Sequence, residues 1–222
     1  MNDLLWTKVD RYLANALLPE DLILEEVLRS SEAADIPSIQ VSALQGKLLM
    51  LLVQAQGARR ILEIGTLAGY STIWLARGLP DGGRIVTLEA DAHHAQIAQS
   101  NIAKAGYANK VELRLGRALK TLPILANERI GPFDFVFIDA DKKHIPEYFD
   151  WSLKLSRPGS LIVVDNVVRD GQVVDLANRE ANIAGVRSFL ERAGQDPRVE
   201  ATAMQTVGMK GHDGFAVVRV KS

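Results

Sequence analysis

The sequence predicts a doubly wound α/β fold, in which a mostly parallel sheet carries helices on both faces. From Arg59 onward, short apolar runs alternate with amphipathic stretches of helical length, and this alternation is typical of strand–helix–strand units. The strand-like runs are continuously apolar rather than alternately apolar and polar, which indicates strands buried on both faces. We therefore expect a single domain over residues 1–222, with N-terminal helices over 1–57 and the α/β core over 58–222.

The N-terminal segment has the pattern of helices and no pattern of strands. Residues 2–57 place apolar side chains at helical spacing, with breaks at Pro19 and Pro37. Ser42 opens a capping-box pattern, which predicts that a third helix begins just after it. Gly57 is a suitable residue to end that helix, so we expect the helix to lead directly into the first strand.

The core segment contains a series of strand-like runs separated by helical patterns. In chain order the runs read RRILEIG, RIVTLEA, KVELRLG, FDFVFIDA, SLIVVDN, RVEATAMQTVG and GFAVVRV. A helix is expected around residues 181–193, and Gly and Asp residues join the last two runs in the manner of a hairpin.

Composition and charge exclude several classes of protein. Lys and Arg number 26 and Asp and Glu number 27, for a net charge of −1, so a strongly basic nucleic-acid-binding surface is not expected. The chain has no Cys, which excludes disulfides, a thiolate nucleophile and Cys-ligated metals. The sequence has neither the pattern of a signal peptide nor that of a membrane span, and we expect a cytoplasmic protein.

The first strand ends in a turn that is suited to a ligand. Gly65 and Gly69 allow close approach of the backbone, and Ser71 begins a helix with free N–H groups. The spacing is Gly-x-x-x-Gly rather than Gly-x-Gly-x-x-Gly, and Glu63 would repel a pyrophosphate but attract an amine or a cation. This pattern favours S-adenosylmethionine over a dinucleotide, the alternative being that the glycines only form a strand-to-helix turn.

The second and third strands end in groups that suit an adenosine. Glu89 follows Gly65 by about two dozen residues, where a carboxylate accepts both ribose hydroxyls, although a helix N-terminal charge is the alternative interpretation. The third strand leads to residues 116–118, where a backbone N–H would face the adenine edge. His93 and His94, in the first turn of the helix after Glu89, are expected at the surface.

The fourth and fifth strands end in oxygen-bearing side chains. Asp139 and Asp141 follow one strand, and Asp165 and Asn166 follow the next. Such a set suits Mg²⁺ and leaves positions for substrate oxygens, whereas each residue taken singly is typical of a helix cap or a turn. Lys142 is a candidate base, because the charge of a neighbouring cation disfavours its ammonium form.

Several long motifs are similar to those of a known family. They are QGKLLMLLVQAQGARRILEIGTLAGYSTIWLARGLPDGGRIVTLEAD, FDFVFIDADKKHIPEYFDW, RPGSLIVVDNVVRDGQVVD and DPRVEATAMQTVGMKGHDGFAVVRV. On these motifs, from about Val41 to about Val220, the chain resembles the cation-dependent O-methyltransferase family that contains caffeoyl-CoA and catechol O-methyltransferases. The resemblance implies a Rossmann-like class I methyltransferase sheet of six parallel strands and one antiparallel strand.

The resemblance also implies an activity, cofactors and site residues. The activity would be methyl transfer from S-adenosylmethionine to a catechol-like or hydroxycinnamoyl-type small molecule, with Mg²⁺, or alternatively Mn²⁺ or Ca²⁺, in a homodimer. The implied metal ligands are Asp139, Asp165 and Asn166, and the implied base is Lys142. The implied donor-contacting residues are Val41, Glu63, Gly65, Thr66, Ser71, Glu89, Ala118 and Asp139. Ile145, where the family commonly has an aromatic residue, is expected near the entrance for the acceptor.

Three other functions are compatible with parts of this pattern. A tRNA wobble-hydroxyuridine O-methyltransferase resembles the same family, but it needs a basic surface. A nicotinamide-dependent oxidoreductase is also doubly wound, but it needs the Gly-x-Gly-x-x-Gly motif that this chain lacks. A non-catalytic adenosine-binding module would keep Glu63 and Glu89 but would not need Lys142 beside a metal site.

Overall fold

A computed structural model describes residues 3–221 of the chain. Residues 1, 2 and 222, which the expected single domain includes, lie outside this range. The described residues form a seven-stranded sheet. Its strands are β1 (Arg60–Ile64), β2 (Arg84–Glu89), β3 (Val111–Leu115), β4 (Phe133–Ile138), β5 (Ser156–Asp165), β6 (Val199–Gly208) and β7 (Gly211–Val220).

Eight α-helices accompany the sheet within the described range. They are α1 (Asp3–Leu17), α2 (Leu22–Ala33), α3 (Ala43–Gln56), α4 (Tyr70–Gly78), α5 (Ala92–Lys104), α6 (Ala118–Asn127), α7 (Ile145–Leu155) and α8 (Ala181–Gln195). The third helix begins as predicted, because the Ser42 hydroxyl accepts the amide of Gln45 at 3.2 Å. It ends at Gly57, whose φ of 64° is left-handed and therefore suited to glycine.

The order of the strands is β3-β2-β1-β4-β5-β7-β6. The first five strands pair in parallel, whereas β7 runs antiparallel to both β5 and β6. The sheet therefore has six parallel strands and one antiparallel strand, which confirms the predicted fold class. The strand order reverses between β1 and β4, and a crevice is expected at this point beyond the carboxyl ends of the strands.

Two apolar clusters cover the two faces of the sheet. On one face, Leu62 and Val136 pack with side chains of α6, α7 and α8, which include Leu122, Phe149 and Phe189. On the other face, Ile61 and Phe135 pack with side chains of α3, α4 and α5, which include Val53, Leu75 and Ile102. Burial of one such side chain contributes about 1.5–3 kcal/mol, so the continuously apolar strand runs are explained by burial on both faces.

No helix within residues 3–221 is both long and apolar enough to cross a membrane.

Candidate active site

The loops after β1 and β4 lie against each other at the point where the strand order reverses. The amide of Asp139 donates to the carbonyl of Ile64 at 2.9 Å, which extends the pairing of β1 with β4 by one residue. A Cβ on Gly65 would lie only 2.0 Å from the Asp139 carbonyl oxygen, and the φ of Gly65 is +102°. Only glycine allows this approach, so Gly65 brings the two loops together.

Glu63 is fully enclosed beneath the turn that follows β1. Its exposed fraction is 0 %. Its carboxylate accepts hydrogen bonds from the hydroxyl groups of Ser71 and Thr87, each at 2.7 Å, and from that of Thr72. Burial raises the pKa of Glu63 to about 7, although the three hydroxyl donors counteract that rise. The hydroxyl of Thr66 joins the same network through Thr87 at 2.6 Å.

This network places three of the expected donor-contacting side chains inside the protein. The side chains of Glu63, Thr66 and Ser71 are buried and hydrogen-bond within the network, where they tie β1 and β2 to the first turn of α4. Their contact with a methyl donor stays a prediction, and so does that of Val41, which is buried in the cluster around α3 and α4.

Glu89 closes the same turn from the end of β2. One carboxylate oxygen accepts the amides of Thr66 at 3.2 Å and Leu67 at 2.8 Å. The other accepts the amides of Ala90 at 2.8 Å and Asp91 at 2.9 Å. These four bonds fix the orientation of a carboxylate that is 9 % exposed, and they hold it at the strand end where the sequence predicts a ribose site.

The turn after β3 lies beside Glu89. The amide of Gly116 donates to the carbonyl of Glu89 at 2.7 Å, and α6 begins two residues later, at Ala118. The Arg117 side chain does not cap this helix, and the amide of a first helical residue has no acceptor within its own helix. The amide of Ala118 is therefore suited to the predicted contact with an adenine edge.

The acidic residues at the ends of β4 and β5 form a charged cluster. Asp165 is 5 % exposed, and burial, reinforced by the negative charge of Asp139, raises its pKa. Lys142 is 8 % exposed, and its Nζ donates to Oδ1 of Asp139 at 2.7 Å. The side chain of Gln45, from α3, lies close enough to Asp165 to counteract part of the rise in its pKa. Two acids, one ammonium group and one amide thus share a largely buried space.

Asn166 continues this cluster along the chain. It has a left-handed φ of 60°, which Asn tolerates better than most residues, and its amide donates to Oδ1 of Asp165 at 2.8 Å. The loop beyond it is held by Asp213, one oxygen of which accepts the amides of Val168 at 3.1 Å and Arg169 at 3.0 Å. The backbone around Asp165 and Asn166 is therefore anchored on both sides.

The donor set of this cluster fits a divalent cation. Residues 3–221 contain no group of three or more His, Asp or Glu side chains that could hold a metal ion, so a cation here would use two carboxylates and one amide oxygen. Mg²⁺ commonly takes only one or two carboxylates and completes its shell with water and substrate oxygens. Burial raises the pKa of Asp165, and the negative charge of Asp139 adds to that rise; a cation beside the two carboxylates would favour their ionised forms.

Asp141 lies close to this cluster in the chain, but its side chain turns towards α7. Its carboxylate accepts the hydroxyl of Tyr148 and pairs with Nδ1 of His144, so it holds the loop against α7. Ile145 is fully buried at the start of α7, and its place near an acceptor entrance stays a prediction. The tight contact of this loop with α8 depends on Gly185, where a Cβ would lie 2.3 Å from the Lys142 carbonyl oxygen.

A family model described as O-methyltransferase matches residues 15–221, which is nearly the whole chain. This chain belongs to the O-methyltransferase family. A catechol O-methyltransferase from Niastella koreensis is 50% identical over 221 residues, with 100% of each chain covered.

Two solved structures of O-methyltransferases share the fold throughout. One is from Bacillus cereus, in complex with SAH, with 57% identity, a TM-score of 0.97 and 98% and 99% of the two chains covered. The other is TomG from Streptomyces achromogenes, involved in tomaymycin synthesis and in complex with SAM, with 50% identity, a TM-score of 0.96 and 100% of each chain covered.

Family membership confirms the resemblance and the predicted enzyme class, an S-adenosylmethionine-dependent O-methyltransferase. The nicotinamide-dependent oxidoreductase and the non-catalytic adenosine-binding module are therefore wrong interpretations. The roles of the individual site residues stay predictions.

Sequence reasoning missed Gln45, Gly185 and Asp213 of this O-methyltransferase. Gln45 follows Ser42 at capping-box spacing and was interpreted only in that way, whereas its side chain lies close to Asp165. Gly185 and Asp213 lie far along the chain from the loops that they hold. An unexplained glycine inside the predicted helix over 181–193 was the available signal for Gly185, since helix interiors disfavour glycine.

Proposed function

We propose that this O-methyltransferase transfers the methyl group of S-adenosylmethionine to one of two adjacent hydroxyl groups on a small phenolic acceptor, with the help of a divalent cation. The observation that carries the proposal is the cluster at the ends of β4 and β5, where Lys142 lies 2.7 Å from Asp139 and beside the buried Asp165. The catechol O-methyltransferase from Niastella koreensis, 50% identical over the full length, supports this class of acceptor.

The donor would bind across the ends of β1 and β2. Glu89 would accept hydrogen bonds from the ribose hydroxyls, and the amide of Ala118 would meet the adenine edge. The turn from Gly65 to Ser71 would hold the methionine end, with Val41, Glu63 and Thr66 enclosing it from below. This arrangement directs the sulfonium towards Asp139, because the loops after β1 and β4 are in contact at Gly65.

The cation would be held by Asp139, Asp165 and Asn166, with Mg²⁺ as the expected ion and Mn²⁺ or Ca²⁺ as alternatives. When bound, a divalent cation supplies Lewis acidity, which makes a phenolic hydroxyl easier to ionise. Gln45 faces the Asp165 carboxylate, and Asp213 anchors the backbone beyond Asn166. The contacts of Gln45 and Asp213 would help to keep the three oxygen ligands in place.

The proton and the methyl group would then move in a balanced step. In the reacting complex Lys142 would be the free amine, because a neighbouring divalent cation disfavours its ammonium form. It takes the phenolic proton at Nζ, and the resulting oxyanion attacks the donor methyl in line with the sulfur. The new C–O bond forms as the C–S bond breaks, and sulfur leaves as the neutral thioether. Holding oxygen and methyl at attack distance is worth about 7–11 kcal/mol, so positioning accounts for most of the rate enhancement.

The test is a methyl-transfer assay with purified protein and S-adenosylmethionine. Catechol, a hydroxycinnamoyl thioester and unmodified tRNA are offered separately, each with Mg²⁺ and with EDTA. We expect methylation of the catechol or of the thioester, loss of that activity in EDTA and its return with excess Mg²⁺. Full turnover in EDTA would contradict the role of the cation, and methylation of tRNA alone would contradict the class of acceptor.

We also propose that the enzyme is cytoplasmic, as its sequence pattern predicts, and that it is a homodimer, as the resemblance implies. The N-terminal helices expose apolar side chains that include Leu4, Leu5, Leu17 and Leu22, and a partner subunit would bury them. Sedimentation velocity distinguishes a dimer from a monomer of 24.3 kDa, and a monomer at micromolar concentration would contradict the proposal.

A further inference from the structure

His94 lies beside the carboxylate that is proposed to bind the donor ribose. It is in the first turn of α5, and its Nδ1 is 3.9 Å from Oε1 of Glu89. Its side chain is only 25 % exposed. The neighbouring His93 has a different environment, because its Nε2 lies 2.8 Å from the carbonyl oxygen of Ala34. Both histidines are at least partly exposed, as expected, but only the ring of His94 faces Glu89.

The gap between His94 and Glu89 has the size of a hydroxyl group. A separation of 3.9 Å is too long for a direct hydrogen bond, and the His94 ring makes no hydrogen bond to any residue in the described part of the chain. A hydroxyl oxygen can lie about 2.8 Å, the usual hydrogen-bond distance, from each of two atoms at this separation. Such a hydroxyl would donate to Oε1, as a third hydrogen bond beside those of the Ala90 and Asp91 amides, and would accept one from Nδ1–H.

Glu89 cannot meet the whole demand of a ribose hydroxyl. An ionised carboxylate only accepts hydrogen bonds, whereas a hydroxyl both donates and accepts. The four backbone amides that bind Glu89 also hold its carboxylate in one orientation, so Oε1 has a fixed position to which the His94 ring can turn. A donor group for the hydroxyl oxygen must therefore come from another residue, and the imidazole is placed to provide it.

We propose that His94 is a second recognition residue for the donor ribose, whose Nδ1–H donates to the hydroxyl group that donates to Oε1 of Glu89. This inference rests on the proposed role of Glu89 as the ribose carboxylate. His94 thereby distinguishes a ribose from a deoxyribose, and it contributes to the affinity for the donor without a part in methyl transfer itself.

The experiment measures ligand binding by calorimetry at pH 8, where an ordinary imidazole is neutral. The ligands are S-adenosylhomocysteine and its 2′-deoxy and 3′-deoxy analogues, and the proteins are wild type, His94→Phe, His94→Asn and the matched control His93→Phe. We expect His94→Phe to weaken binding of S-adenosylhomocysteine by about five- to tenfold, as for one lost hydrogen bond. For the analogue that lacks the bridging hydroxyl, the same substitution should change binding less than twofold.

Two further results are expected. The amide of His94→Asn donates a hydrogen bond, so this variant should recover part of the affinity, and His93→Phe should bind all three ligands as wild type does. Equal losses for all three ligands in His94→Phe would mean that His94 only supports the fold of the loop, and no loss would mean that it does not meet the ribose. Either result overturns the inference.

A Glu89→Gln variant separates this inference from the proposed function. If Glu89→Gln binds S-adenosylhomocysteine as tightly as wild type, the proposed ribose site itself is wrong, and the inference about His94 falls with it. If Glu89→Gln weakens binding while His94→Phe does not, only the inference about His94 is wrong.

Discussion

Nζ of Lys142 lies 2.7 Å from Oδ1 of Asp139. The pair is largely buried, and Asp165 lies close enough for its pKa to respond to both charges. Removing one partner of a buried ion pair typically costs about 3–5 kcal/mol, so Lys142 stabilises the loop as well as being the candidate base. Tests of its chemistry must therefore separate the loss of a base from the loss of a positive charge.

Substitution of Lys142 tests the base. Lys142→Ala should lower kcat by roughly 10²- to 10⁴-fold, the usual contribution of a general base, with a nearly unchanged Kd for S-adenosylhomocysteine. Lys142→Arg keeps a positive charge beside Asp139 but cannot accept a proton at neutral pH. It should therefore preserve the thermal midpoint without restoring kcat. A Lys142→Arg enzyme with wild-type turnover would show that the acceptor loses its proton without this base.

Substitution of Asp165 tests the metal site. Asp165→Asn should weaken binding of Mn²⁺, measured by calorimetry, by at least about tenfold, because it removes one of two carboxylates from the site. The matched control is Asp141→Asn, at a carboxylate that bonds to Tyr148 and His144 instead. Its Mn²⁺ affinity should stay within about threefold of wild type. Equal losses in both variants would mean that Asp165 has no special part in binding the ion.

Glu63 predicts a particular dependence of stability on pH. Its pKa is raised from 4.5 to about 7 by burial, so the folded protein keeps a proton that the unfolded chain has released between these values. The stability that this proton contributes is fully present below pH 4.5 and is lost as the pH rises through 7.

The measurement compares wild type with Glu63→Gln, which cannot titrate. The free energy of unfolding in urea, taken as wild type minus variant, should fall between pH 5 and pH 8 by an amount on the order of 3 kcal/mol at most. Because the other titratable groups are common to both proteins, the difference isolates Glu63. A difference that stays constant or rises with pH would contradict the raised pKa.

Substitution of Gly65 tests the contact between the loops after β1 and β4. We expect the loss of stability to come from that contact and not from backbone strain alone. Gly65→Ala should lower stability and weaken binding of S-adenosylhomocysteine, because its Cβ would lie 2.0 Å from the Asp139 carbonyl oxygen. Gly106→Ala is the matched control, since Gly106 has a φ of +82° with no atom within 4 Å of an added Cβ. It should cost only about 1–2 kcal/mol of stability and leave binding unchanged. If the two variants behave alike in thermal unfolding and in calorimetry, the contact with Asp139 has no importance.

The sequence by itself determined the fold class and indicated which edge of the sheet carries the candidate site. Apolar runs such as FDFVFIDA are continuous because strands buried on both faces need apolar side chains at every position. Polar residues such as Glu89 and Asp165 stand where these runs end, so the edge of the sheet that carries the site could be predicted. The family motifs added the expected roles of the site residues. Several long motifs with conserved spacing identify a family far more specifically than any single residue does.

Only the tertiary structure decided which side chains meet. Glu63 and Glu89 both lie near the carboxyl ends of strands, yet one is enclosed by hydroxyl groups and the other accepts backbone amides of the adjoining loops. His94 and His93 are neighbours in sequence but face different partners, at Glu89 and Ala34. The physical reason is that a strand end sets a position but not the direction of a side chain. That direction follows from rotamers and from packing against α3, α7 and α8, which lie far away along the chain.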